Sequence, residues 1–182
     1  MGENNSFYDT RELVAIGFKQ IGDNVLISRF ARFYTPENVI IGNNVRIDDF
    51  CILSGNITIE DFVHISAFCA LYGKGGITLK NYSGMSPRST IFSQTDDFSG
   101  DFLIGPMVEK QKTNVLSGPV ILNEYVQLGA NTIVLPNIEI GKGSVTGAFT
   151  FVNKSLEQWG VYTGIPAKKL KTRNNTILKN IK

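Results

Sequence analysis

The sequence predicts an all-β protein, a parallel β-solenoid of short strands and sharp bends. Three observations predict it. A large, mostly aliphatic residue recurs at every sixth position: Ile21, Ile27, Phe33; Ile41, Ile47, Leu53, Ile59, Ile65, Leu71; Leu79, Met85, Ile91; then Leu122, Leu128, Val134, Ile140, Thr146, Val152. Four residues after each mark the side chain is small or β-branched, as at Val25, Ala31, Val45, Cys51, Val63, Cys69, Ser83, Ser89, Val126, Thr132, Ser144 and Thr150. The position just after the mark favours turn residues, as at Gly22, Ser28, Gly42, Asp48, Ser54, Ser66, Gly129, Gly141 and Gly147. This period is neither helical nor a plain alternation. It suits a strand of about four residues followed by a bend. Large residues at the first slot and small ones at the fifth fill one narrow interior, and stacked coils pair through parallel ladders.

Taken in order, residues 1–20 read as a cap, 21–166 as the solenoid and 167–182 as a polar, basic tail. In the cap, Asp9 or Thr10 is placed to start a short helix over Arg11 to Phe18, which covers the open end of the coil. The register slips between Phe33 and Ile41, at Thr35-Pro36-Glu37-Asn38, and between Leu71 and Leu79, at Tyr72-Gly73-Lys74-Gly75-Gly76. Both are small corner insertions. The large interruption is residues 92–119, polar and rich in glycine and proline, yet carrying Phe92, Phe98, Phe102, Leu103 and Met107. Loops of that length inside a repeat are usually functional. The embedded apolar residues predict an ordered arm that packs on a neighbouring subunit. Aromatic residues gather at the fourth slot: Phe30, Phe50, Phe62, Phe68, Tyr82, Tyr125 and Phe149. Interior slots being filled, these rings are expected at corners, where a subunit interface would bury them.

Composition narrows the function. The chain has 182 residues, 42% hydrophobic, with a net charge of +2. That charge is too small to argue for nucleic acid or an anionic membrane as partner. No stretch approaches the apolar length of a membrane span, and the N-terminus lacks the pattern of a signal peptide. The two cysteines, Cys51 and Cys69, fall on the small interior slot one full coil apart and read as buried hydrophobes. A cytoplasmic location is expected. One histidine per chain cannot build a three-histidine zinc site, so no metal is expected.

The hexads, the arm and the closing Tyr162-Thr163-Gly164-Ile165-Pro166-Ala167-Lys168 together resemble the hexapeptide-repeat acyltransferases. The likeness is nearest to the maltose, galactoside and xenobiotic acetyltransferase branch and its nucleotide-sugar N-acetyltransferase relatives. It implies a left-handed parallel β-helix of triangular section, a homotrimer with active sites between subunits, and acetyl-CoA or another acyl-CoA as co-substrate. It further implies that Ala130 and Ala148 line the pantetheine channel. Asn153 and Lys154 stand at the Thr-Lys pair of the family, and the closing motif offers Pro166 and Lys168, the latter near the nucleotide phosphates.

One departure matters. The O-acetyltransferases of this branch carry a histidine base on the arm, whereas here the only histidine is His64, within the hexads, and the arm offers Asp96-Asp97. A hydroxyl needs a competent base to attack. An amine needs only to lose its ammonium proton, near about pH 8 for a model amino group. The expected activity is therefore acyl-CoA-dependent N-acylation of an amino sugar, nucleotide-linked and destined for surface polysaccharide. Asp97 is favoured as base or ammonium anchor, Asp96 competes with it, and His64 is the alternative base. O-acetylation of a sugar hydroxyl is the second reading. Arg46 and Arg88 are candidates to hold a diphosphate.

Overall fold

The computed structural model describes residues 6–180 and has the solenoid at its centre. The first face stacks Gln20–Ile21, Val39–Ile41, the ends of Ile52–Ile59 and Ala70–Leu79, then Val120–Leu122 and Ile138–Ile140, all parallel. The second stacks Leu26–Ile27, Arg46–Ile47, His64–Ile65, Gly84–Met85, Gln127–Leu128, Val145–Thr146 and Gly160–Thr163. The third carries Arg32–Phe33, the starts of Ile52–Ile59 and Ala70–Leu79, then Thr90–Phe92, Ile133–Val134 and Phe151–Val152.

The interior is the six-residue ruler. Ile27, Ile41, Ile47, Leu53, Ile59, Ile65, Leu71, Leu79, Ile91, Leu122, Leu128, Val134, Ile140 and Val152 have no exposed surface. The fifth-slot residues lie between them, Cys51 and Cys69 among them as free, buried thiols. Thr146 is the polar mark on the ruler, and its hydroxyl is satisfied: it accepts from the Gly129 N–H at 2.9 Å and pairs with the Thr132 hydroxyl at 2.9 Å. A buried hydroxyl with partners avoids the desolvation penalty of an orphan. At Gly129 an added Cβ would sit 2.5 Å from the Gly147 carbonyl carbon, so these two coils approach too closely for any side chain there.

The cap forms as expected but ends earlier. The helix is Thr10–Ile16, with Asp9 and Glu12 in a reciprocal capping box, and Gly17 closes it in the left-handed region at φ 82°. Leu13 is buried, and Ile16 and Phe18 pack on the core, so the helix covers the open end. Arg29 ties it down through two 2.6 Å bonds to Glu12.

The closing segment differs from the tail read off the sequence. Lys168–Thr172 turns back as an antiparallel strand against Gly160–Thr163. All five of its residues are exposed, three of them lysines. A lysine-rich final strand keeps a parallel sheet from offering its edge to another chain. Composition alone hid this role, because charge reads equally as a solvated tail.

The corner aromatics are where the six-residue pattern put them. Phe50, Phe62, Phe68, Tyr82, Tyr125 and Phe149 all take φ between 56° and 64°. Bulky residues seldom adopt that region. Stacking accompanies it: Phe30, Phe50 and Phe68 form one column with centroids 5.5 and 4.9 Å apart, and Phe62, Tyr82 and Tyr125 a second at 4.7 and 5.3 Å. A cation stands over the last ring of each, Arg88 over Phe68 and Lys142 over Tyr125.

Candidate active site

Residues 92–119 leave the third face and return to the first. Gln94–Asp96 and Val115–Ser117 pair antiparallel, so the base of the arm is a two-stranded ribbon. It is fixed to the coil at Ser93, whose buried hydroxyl donates to the Tyr72 carbonyl at 2.8 Å and accepts from the Gly75 N–H at 2.9 Å. Between arm and coil lies a cavity of about 960 Å³. The coil contributes Ser54, Tyr72, Lys74 and Phe92; the ribbon contributes Gln94, Thr95, Asp96 and Val115; the rest of the arm contributes Gly105, Pro106, Val108, Lys110 and Thr113. An open cleft with apolar walls and a few charged groups is the usual form of a small-molecule site.

The two neighbouring carboxylates have different surroundings. Asp96 lines the cavity and is half-buried. Asp97 is engaged in holding the arm: it accepts from the Ser99 N–H at 2.8 Å and from the Asn114 amide at 2.7 Å, and its own N–H donates to the Asn114 carbonyl at 3.0 Å. The Ser99 N–H, followed by the Asn114 side chain, holds the Asp97 carboxyl below the ordinary carboxylate range. A carboxylate so occupied is a poor proton acceptor.

His64 is on the second face, outside the cavity lining. Its Nε2 lies 2.7 Å from Asp48 Oδ2, and Arg46 Nε donates to Asp48 Oδ1 at 2.7 Å. Burial opposes ionisation of Asp48, but hydrogen bonds from Arg46 and then His64 outweigh it and hold its carboxyl down. The Arg46 guanidinium also lies over the Phe7 ring. Arg46 and Arg88 are thus both engaged on the coil, and neither lines the cavity.

The residues assigned to coenzyme A gather on the last coils. The Phe149 N–H donates to the Ala130 carbonyl at 2.8 Å, stacking Ala130 beneath the Ala148 corner. The Phe151 N–H donates to the Gly164 carbonyl, and the Ala167 N–H to the Phe151 carbonyl, which brings the closing motif beside the third face. Asn153, Lys154, Pro166 and Lys168 are exposed there. Rungs Thr90–Ile133 and Ile133–Phe151 join this end of the third face to the cavity. Ala130 and Ala148 present only methyl groups at their corner, which fits a thin chain lying along the coils.

Sequence reasoning missed Tyr72, Phe92, Lys74 and Lys110. A signal existed: the slot after the ruler is mostly small or polar, yet on the face from which the arm departs Tyr34, Tyr72 and Phe92 put rings there.

No protein-family model matches the chain. It is 39% identical over 177 residues to the dTDP-4-amino-4,6-dideoxy-D-glucose acyltransferase of Escherichia coli, covering 96% of this chain and 92% of that one. A putative lipopolysaccharide biosynthesis O-acetyl transferase of Escherichia coli K12, WbbJ, is 28% identical over 76% of this chain and 71% of its own length. Among solved structures, a serine-to-cysteine variant of AntD, an N-acyltransferase from Bacillus cereus, in complex with dTDP-4-amino-4,6-dideoxyglucose and coenzyme A, superposes with TM-score 0.95 at 46% identity, over 98% of this chain and 96% of that one. AntD was also solved with dTDP and 3-hydroxybutyryl-CoA, and in variants that replace a serine or an aspartate ten positions after it. In this chain one serine–aspartate pair has that spacing, Ser86 and Asp96.

Proposed function

The chain belongs to the hexapeptide-repeat acyltransferases, and we propose on that premise that it transfers an acyl group from acyl-CoA to the amine of a nucleotide-linked amino sugar. Its coil is the left-handed parallel β-helix of that family. One observation carries the reading: the cavity between arm and coil presents Asp96, a carboxylate with no ion pair or side-chain hydrogen bond among the described residues, where the O-acetylating branch would place a histidine.

Asp96 orients the substrate ammonium and accepts or relays its proton. The freed amine attacks the thioester carbonyl, so that a C–N bond forms and the C–S bond breaks. The coenzyme leaves as a thiolate that takes up a proton. Asp97 is a positioning residue that holds the arm, and Ser86 joins Asp96 as a candidate by its spacing. His64 serves the alternative, O-acylation, less well, because it is engaged with Asp48 on another face. The acyl carrier runs along the third face past Ala130 and Ala148, with Asn153, Lys154, Pro166 and Lys168 near its nucleotide end. Arg46 and Arg88 remain candidates for phosphate contact only from a neighbouring subunit.

The enzyme works as a homotrimer. Supporting this are an exposed aromatic column, Phe30 with Phe50 and Phe68, a second, half-buried one that begins at Phe62, and an arm whose Phe98 and Met107 are 74% and 95% exposed. Among the described residues no helix is long and apolar enough to cross a membrane. A cytoplasmic location accords with reduced cysteines and an acyl-CoA supply. The test is thiol release from acetyl-CoA and 3-hydroxybutyryl-CoA with dTDP-4-amino-4,6-dideoxyglucose and with its 4-hydroxy counterpart. The amine is expected to exceed the hydroxyl by about a hundredfold or more in kcat/KM, the order that a missing hydroxyl base costs. Equal rates would sink the N-acyl reading, and a monomer by analytical ultracentrifugation would sink the trimer.

A further inference from the structure

Resting on that reading, we propose that the half of the cavity beside Asp96 is a nucleoside-diphosphate subsite, in which the base stacks on Tyr72 above Ser54 while Lys74 and Lys110 hold the diphosphate. The charge pattern is the first support. Three charged side chains line the cavity, Lys74, Lys110 and Asp96, and none of them has an ion pair or side-chain hydrogen bond among the described residues. Two ammonium groups and one carboxylate complement a ligand bearing two phosphates and one ammonium. A plain sugar would leave both lysines without a task.

The ring column is the second support. Parallel pairing puts Ser54, Tyr72 and Phe92 on consecutive rungs. The Tyr72 and Phe92 rings stack with centroids 5.2 Å apart and planes 14° from parallel. Phe92 therefore covers one face of Tyr72. The other face looks over Ser54, which carries a single hydroxyl where the column would continue, and Tyr72 keeps 39% of its surface exposed. Rungs are about 4.8 Å apart, so the missing ring leaves a slot of the thickness of a planar base. Pro106, Val108 and Val115 supply apolar lining to the same cavity.

Coenzyme A also contains a nucleoside diphosphate. The sugar nucleotide is the better occupant, because Asp96 shares this cavity with the two lysines, whereas the strip marked by Ala130 and Ala148 lies on later coils.

Calorimetry with dTDP and, separately, with coenzyme A tests the assignment on the full chain, on Ser54→Phe, on Tyr72→Ala and on the double variant Lys74→Met/Lys110→Met. Ser54→Phe fills the slot, and Tyr72→Ala removes the platform without adding bulk. Each variant is expected to lose about tenfold or more in dTDP affinity, from lost stacking or charge-assisted bonds. Coenzyme A affinity should stay within about twofold. In turnover, KM for the nucleotide amino sugar should rise with kcat nearly unchanged, the mark of lost uniform binding. Unchanged dTDP affinity in all three variants overturns the subsite, as does a fall in coenzyme A affinity in its place. Failure of the underlying reading looks different: the wild-type chain would bind dTDP, lose it on these substitutions, and acylate no amine.

Discussion

In the coil, Ile47, Leu53, Ile59 and Leu71 have no surface open to water, whereas in the arm Phe98, Ile104 and Met107 keep 74, 49 and 95% of theirs. Both regions are well furnished with large apolar residues. The coil buries them within its own repeat, each mark packed on the marks of the coils above and below. The arm folds only its base, through the short ribbon and the Asp97 contacts, and leaves its apolar side chains and the cavity charges unmatched. One region is complete within the chain; the other is complementary to something that arrives. That difference separates what determines stability from what determines activity, and substitutions can test it.

The largest effect belongs to the coil. Leu71→Lys puts an unpaired charge at a site with no exposure, and it should abolish the folded state in thermal denaturation. Met107→Lys, a like change on the arm, should leave the coil folded and weaken the trimer instead, read as a shift toward monomer in analytical ultracentrifugation. A coil that tolerates the first change would break the comparison. Next come the neighbouring carboxylates. Asp96→Asn is expected to lower kcat by about a hundredfold with little change in Tm, as for loss of a general base. Asp97→Asn should cost less in kcat and loosen the arm, seen as faster amide exchange over residues 97–114. If the two variants exchange these phenotypes, the roles assigned here are reversed.

Acid sharpens the same contrast. The Ser99 N–H and the Asn114 amide depress the Asp97 pKa in the folded state. A depressed carboxylate pKa contributes stability that is present above the unfolded value and lost as pH falls through the lower, folded value. The arm should therefore stay fastened at neutral pH and loosen only below the ordinary carboxylate range, while the coil core remains protected. Amide exchange along an acid titration measures this, and Asp97→Asn should lack the transition. The smallest effect is at Ser83. Its buried hydroxyl has no hydrogen-bond partner among the described residues, so Ser83→Ala should stabilise the coil by about 1 kcal/mol in denaturant unfolding.

The ruler made the coil legible because burial repeats with the chain: Ile47 and Ile65 answer the same packing demand one coil apart, and six-residue spacing reports it directly. Corner rings were legible for the same reason, by exclusion from filled interior slots. The arm has no period, so its ribbon and its cavity depend on contacts distant in sequence, such as Asp97 with Asn114 or Tyr72 with Phe92. Sequence reasoning found the carboxylate pair but put Asp97 ahead of Asp96, since only the fold shows that Ser99 and Asn114 occupy Asp97. It named Arg46 and Arg88 for the diphosphate and passed over Lys74 and Lys110, because only the fold places the arginines over Phe7 and Phe68 and the lysines along the cavity.

The most direct measurement is a crystal structure of the enzyme with dTDP-4-amino-4,6-dideoxyglucose and coenzyme A bound together. The account predicts the amine nitrogen within about 3 Å of an Asp96 carboxylate oxygen, facing the coenzyme sulfur. An amine seated against Asp97 or His64, or a sugar bound away from the arm, would contradict it.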